Sequence, residues 1–151
     1  MNINKLTTPE EFSEYYYNKL KENLDVTDLN LNKKLIAKDG TQKYLWKTND
    51  NNLVESVFLP YEDKNRYSIC VSSQIGCSIG CKFCATGIDG LKRDLSVSEI
   101  IEQILKIQID VSKERYGSPK ITNIVFMGMG EPFLNYDNVM KAVSILNDEK
   151  G

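Results

Sequence analysis

Histidine is absent from all 151 residues. That removes every mechanism built on an imidazole base and every histidine-containing zinc site, leaving Cys, Glu, Asp, Lys and Tyr for proton transfer. No apolar run approaches the ~18 residues of a membrane span, and the N-terminus (Met1, Asn2, Ile3, Asn4, Lys5) lacks a signal-peptide core. A cytoplasmic, non-membrane protein is expected. An excess of basic charge is missing too. The net charge is −2 and the pI about 5.3, which argues against a general nucleic-acid binder; any RNA contact must be local or supplied elsewhere. With 41% hydrophobic and 26% charged residues, the chain has the composition of an ordinary globular protein with room for one modest domain or pieces of two.

Four cysteines are present, and three of them are close together. Cys77, Cys81 and Cys84 stand at C-x3-C-x2-C spacing on a glycine-bearing loop. In a reducing compartment such a cluster points to metal rather than to disulfides. Three thiolates are one short of a closed zinc site or a fully ligated [4Fe-4S] cube. The shortfall suits a cube whose fourth iron stays open to bind S-adenosylmethionine for reductive cleavage. Phe83, just before the third cysteine, is expected beside the cofactor as a shield. The competing reading is structural zinc completed by Cys70, in a small non-catalytic module.

Along the chain, Thr8, Pro9 and Glu11 read as a helix start, and Phe12, Tyr16, Leu20 and Leu24 give one apolar stripe. Residues 34–72 read as β structure. Asp39-Gly40 signals a two-residue hairpin, Asp50 to Asn52 a second turn, and Pro60 the end of the strand that starts at Leu53. Tyr67 to Ser72 reads as a strand running into the cysteine loop. Ser96 and Glu99 form a capping box ahead of a helix, and Ile121 to Met127 reads as a buried parallel strand after Pro119. Asn135 is expected to cap a last helix bearing Val139, Ala142, Val143 and Leu146. This is a βαβα rhythm. The chain is expected to divide into the end of a helical accessory region (1–33), a small β segment (34–66) and the first βαβα of a truncated core (67–151).

The strand at Ile121 leads into Met127, Gly128, Met129, Gly130, Glu131 and Pro132. Glycines there let backbone approach a ligand, and Glu131 can accept a hydrogen bond from a ligand ammonium. Lys92 and Arg93, just past the cysteine loop, read first as part of a solvated loop, with phosphate contact as the competing reading. Taken on spacing alone, Cys70 is a small buried hydrophobe and Glu55 a surface carboxylate.

The segments from Cys70 to Gly87 and from Ile121 to Pro132, with Lys38 to Tyr44 and Glu55, together resemble the radical S-adenosylmethionine adenine-C2 RNA methyltransferases, usually called RlmN. The resemblance covers roughly residues 34–148. It implies an α/β fold, the start of a partial (β/α) barrel preceded by a helix and a small β segment. It also implies a [4Fe-4S] cluster on Cys77, Cys81 and Cys84, and S-adenosylmethionine held at Gly130 and Glu131. The substrates implied are 23S rRNA and tRNA, and an electron donor such as flavodoxin or ferredoxin is needed. Cys70 then matches the cysteine that forms a transient disulfide to resolve a protein–RNA adduct, and Glu55 a proton acceptor. The stretch between those two is about two residues longer than is usual in the family. The family also carries its methyl group on a further cysteine, and all four cysteines here already have other roles. The expectation is therefore an N-terminal portion that holds the radical generator and methylates no RNA alone. The sister family that methylates adenine C8 shares the same cysteine set; Pro132 favours the C2 enzymes.

Overall fold

The computed structural model describes residues 29–61, 65–114 and 120–148. The helix expected from Thr8 lies outside these residues, as does Pro119. Strands β1 (Asn30–Ile36), β2 (Gln42–Lys47), β3 (Leu53–Tyr61) and β4 (Arg66–Cys70) form an antiparallel run. A further strand, β7 (Asn123–Val125), joins β4 in parallel, giving one five-stranded sheet in the order β1-β2-β3-β4-β7. Between β4 and β7 the chain makes a short ribbon of β5 (Gln74–Gly76) and β6 (Leu91–Asp94), then helix α1 (Val97–Glu114). Helix α2 (Tyr136–Leu146) follows β7. This is an α/β fold that begins a partial barrel, with β4, α1, β7 and α2 as its βαβα unit. The β segment starts at Asn30 and shares its sheet with β4 and β7.

One face of the sheet is dry. Tyr44, Trp46, Val54, Phe58 and Ile69 point to it, and Ile100, Ile104, Ile107 and Val111 of α1 join them in one core. The 4-3-4 spacing of those α1 residues is the stripe of a helix lying on a sheet. Each such aliphatic side chain contributes about 1.5–3 kcal/mol on burial. The opposite face, with Lys43, Leu45, Glu55, Val57 and Cys70, is only partly covered.

Three local readings change in the folded chain. The first hairpin closes with a three-residue loop, Lys38 to Gly40, held by Ala37 N–H to Thr41 O (2.8 Å) and Gly40 N–H to Ala37 O (3.0 Å). Pro60 sits inside β3, opposite Tyr67, rather than ending it. Strand β2 reaches only to Phe58, so among the described residues one flank of β3 lacks a partner at Pro60 and the missing N–H costs no ladder bond there. The run expected to be a buried parallel strand pairs over only three residues, and Val125 and Met127 are exposed. It is the edge of the sheet, so β4 alone flanks it among the described residues. The Ser96–Glu99 capping box is present in both directions, Ser96 N–H to Glu99 Oε2 at 2.9 Å and Glu99 N–H to Ser96 Oγ at 3.3 Å.

Candidate functional site

Strands β4 and β7 run parallel, and their carboxyl ends carry the cysteine-bearing segment and the Gly130–Glu131 turn. Such ends are where α/β folds place their sites. Residues 77–90 form a loop whose neck is closed by Cys77 N–H donating to Gly90 O at 3.1 Å. Gly76 makes that closure possible. Its φ is +76°, and a Cβ there would collide with the Gly90 carbonyl oxygen. Within the loop Cys81 and Cys84 line an open hollow of about 390 Å³, with Gly80, Lys82, Phe83 and Ile88. The Thr86 hydroxyl and the backbone amides of Thr86 and Gly87 stabilise the Cys84 thiolate and hold its pKa below the ordinary thiol value. Cys77 stands at the neck, half-buried.

Among the described residues no three Cys, Asp or Glu side chains converge on one point at metal-ligand distance. The loop thus brings the three thiols into one short, exposed segment without gathering them. All four cysteines are free, so the disulfide expected of Cys70 is not formed here. The donor set still suits iron: soft thiolates, one already favoured by amide and hydroxyl donors, beside a hollow open to solvent. Phe83 is 93% exposed at the lip of that hollow, in contact with solvent rather than shielding anything.

Cys70 lies on the partly open sheet face, opposite Val57 in β3 and Val125 in β7. Burial pushes its thiol pKa up, and the Met127 backbone amide partly offsets this. Glu55 is two residues from Val57 on the same strand, so its side chain shares that face with Cys70, a diagonal pair at about 7–8 Å. A Lys43 ammonium 2.8 Å away pairs with the Glu55 carboxylate. The Gly130–Glu131 turn packs tightly on the β4–β5 junction. Gly130 has φ +95°, and a Cβ there would fall 2.5 Å from Gln74 Cβ. One Glu131 oxygen accepts the Phe133 N–H at 3.0 Å, capping a short turn (Pro132–Asn135).

Two expectations are corrected. Arg93 does not offer its guanidinium to phosphate. It forms a double fork, to Asp50 (2.7 and 3.1 Å) and to Glu99 (2.8 and 2.8 Å), and Lys92 donates to Asn52 Oδ1 at 3.2 Å. Asn135 does stand at the start of α2, yet its side chain makes no cap. It donates instead to the carbonyls of Ser73 and Leu95, both at 2.8 Å, tying α2 to the base of the cysteine loop. Spacing did not single out Ser72 or Gln74 either. The only signal for them was a polar run, Ser72 to Gln74, where the strand expected from Tyr67 passes into the cysteine loop.

The sequence profile described as "Radical SAM superfamily" matches residues 71–151, more than half of the chain. The chain belongs to the radical SAM superfamily, a family of enzymes. More particularly, it is similar to proteins named as probable dual-specificity RNA methyltransferase RlmN. The one from Aquifex aeolicus is 53% identical over 109 residues, covering 72% of this chain and 29% of that protein. The one from Heliobacterium modesticaldum is 47% identical over 121 residues, covering 77% and 31%. A crystal structure of a radical SAM methyltransferase from Sphaerobacter thermophilus superposes with a TM-score of 0.81 at 38% identity, over 93% of this chain and 40% of that one. The chain spans about a third of the length of these curated relatives.

Proposed function

We propose that these residues form the cluster- and S-adenosylmethionine-binding part of a radical methyltransferase acting on adenine C2 of 23S rRNA and tRNA. The observation that carries the reading is the placement of the cysteine loop and the Gly130–Glu131 turn at adjacent parallel strand ends, beside the face bearing Cys70 and Glu55. The relatives' names and the motif resemblance support the substrate class. A bound [4Fe-4S] cluster with one open iron would supply one-electron cleavage of S-adenosylmethionine to a 5′-deoxyadenosyl radical. In this chain Cys77, Cys81 and Cys84 are the thiolates to hold it. Glu131 has one carboxylate oxygen engaged by the Phe133 amide, leaving the other for a ligand ammonium, while Gly130 admits the ligand close to the backbone. Phe83 at the lip of the hollow is placed to close over a bound ligand.

Cys70 and Glu55, on one face, are assigned as thiol and proton acceptor; the disulfide that the resemblance implies for Cys70 needs a second thiol, which Cys77, Cys81 and Cys84 do not supply while they hold the cluster. The electron comes from a flavodoxin- or ferredoxin-like donor, in the cytoplasm. No helix among the described residues is long and apolar enough to cross a membrane. Anaerobic reconstitution tests the reading: uptake of about four irons per chain with brown colour is expected. One tightly held zinc and no iron uptake would overturn it in favour of a structural zinc module. Nucleoside mass spectrometry of RNA methylated by the full-length enzyme then distinguishes C2 from C8.

A further inference from the structure

Gln74 lies three residues ahead of the first cluster cysteine and has no exposed surface. A buried carboxamide must have both its ends paired. Its Oε1 accepts the Glu131 backbone N–H at 2.8 Å, and its Nε2 donates to Asp94 Oδ1 at 2.7 Å. Asp94 is also its cross-strand partner on β6. One side chain therefore joins the strand entering the cysteine loop, the strand leaving it, and the turn that carries Gly130 and Glu131. The backbone reinforces the joint, since the amides of Ser73 and Gln74 both donate to Met129 O, at 2.9 and 3.2 Å. Ser72 Oγ accepts the Met129 N–H at 2.8 Å. No room remains for slippage, because Gly130 already packs against Gln74 with no space for a Cβ.

An apolar side chain would fill this space without fixing direction. The carboxamide does fix it, because a donor faces Asp94 and an acceptor faces the Glu131 amide. We propose that Gln74 is a positioning residue that sets the spacing between the cysteine loop and the Gly130–Glu131 turn. A ligand held by both then meets them at one fixed separation. The inference rests on the S-adenosylmethionine reading above.

The test exchanges donor and acceptor. Q74E sets a carboxylate against Asp94 and removes the donor. Q74E/D94N restores a donor at position 94, so the 74–94 link can form again with its polarity reversed, while the Glu131 N–H still donates to position 74. For Q74E, iron uptake equal to that of the unsubstituted protein is expected, with S-adenosylmethionine affinity by equilibrium dialysis lowered about tenfold or more. Q74E/D94N is expected to return to within about threefold of the original. Q74E binding as well as the unsubstituted protein, or a loss that D94N does not repair, overturns the proposal. Should Q74E alone be too unstable to purify, the double variant decides by the same affinities. Hydrogen exchange of the Glu131 amide, measured without cluster, separates this proposal from the functional one. Faster exchange in Q74E that reverts in the double variant supports the positioning role, and unchanged exchange in Q74E overturns it. Failure of iron uptake by the unsubstituted protein counts against the functional reading alone.

Discussion

Replacing Arg93 with Met should show how strongly the base of the cysteine loop is clamped. Arg93 sits on β6 and bonds Asp50 in the β2–β3 turn and Glu99 in the first turn of α1. The two forks are unequal. The Asp50 side chain is 44% exposed, so that pair contributes about 0.2–1 kcal/mol. The Glu99 side chain is only 7% exposed, and without Arg93 its carboxylate keeps only its contacts to Ser96, chiefly the Ser96 amide. Breaking a buried pair by removing one partner costs about 3–5 kcal/mol. The guanidinium is itself one-third exposed, so water entry reduces this, and about 2–4 kcal/mol is expected overall. At this chain length that is a fall in Tm of about 4–16 °C.

The pH dependence of the Arg93→Met deficit is the sharper check. Burial pushes the Glu99 carboxyl up, but the Arg93 guanidinium and the Ser96 amide outweigh it and hold the group below its ordinary value. In the parent protein, Glu99 therefore contributes stability above the unfolded carboxylate pKa, and this is lost as pH falls through the lower folded value. In Arg93→Met only burial and the cap remain, so protonation relieves the variant. The deficit should be full near pH 7 and shrink as pH falls below about 4. Urea titrations at both pH values measure it. A deficit under about 1 kcal/mol, or one that does not change with pH, would refute the reasoning.

Other substitutions probe the site directly. Gly76→Ala should force the loop neck open against Gly90 O and lower iron uptake on reconstitution; full uptake at parent stability would contradict the close approach seen here. Gly130→Ala meets both a φ of +95° and Gln74 backbone nitrogen at 2.7 Å, so S-adenosylmethionine binding by dialysis should weaken about tenfold or more while iron uptake persists. Cys81→Ala should abolish 5′-deoxyadenosine formation under strong reductant, whereas Cys70→Ala should leave it intact, as chromatography of the nucleoside products will show. The 151-residue chain should transfer no methyl group to RNA in a radiolabel assay, because none of its four cysteines is left to carry one.

Signals confined to a few neighbouring residues carried much of this protein into view. C-x3-C-x2-C spacing, the Ser96–Glu99 box and the strand–helix alternation after the loop each depend on bonds or periodicities within one turn or one strand. Ser96 and Glu99 find each other because a helix start orients them, whatever lies elsewhere. What the folded chain decided are pairings between distant segments. Gln74 meets Glu131 at a separation of 57 residues, and Arg93 meets Asp50 at 43. Polarity foretells that a buried glutamine or a fork-shaped cation needs partners, but not which partners, because those depend on strand order and register. Pro60 inside β3 has the same origin: β2 ends before it, and only the assembled sheet shows that this flank has no partner among the described residues. Asn135 donates to the carbonyls of Ser73 and Leu95 instead of capping the helix because packing α2 against the loop base buries its carboxamide, which needs partners, beside those two acceptors.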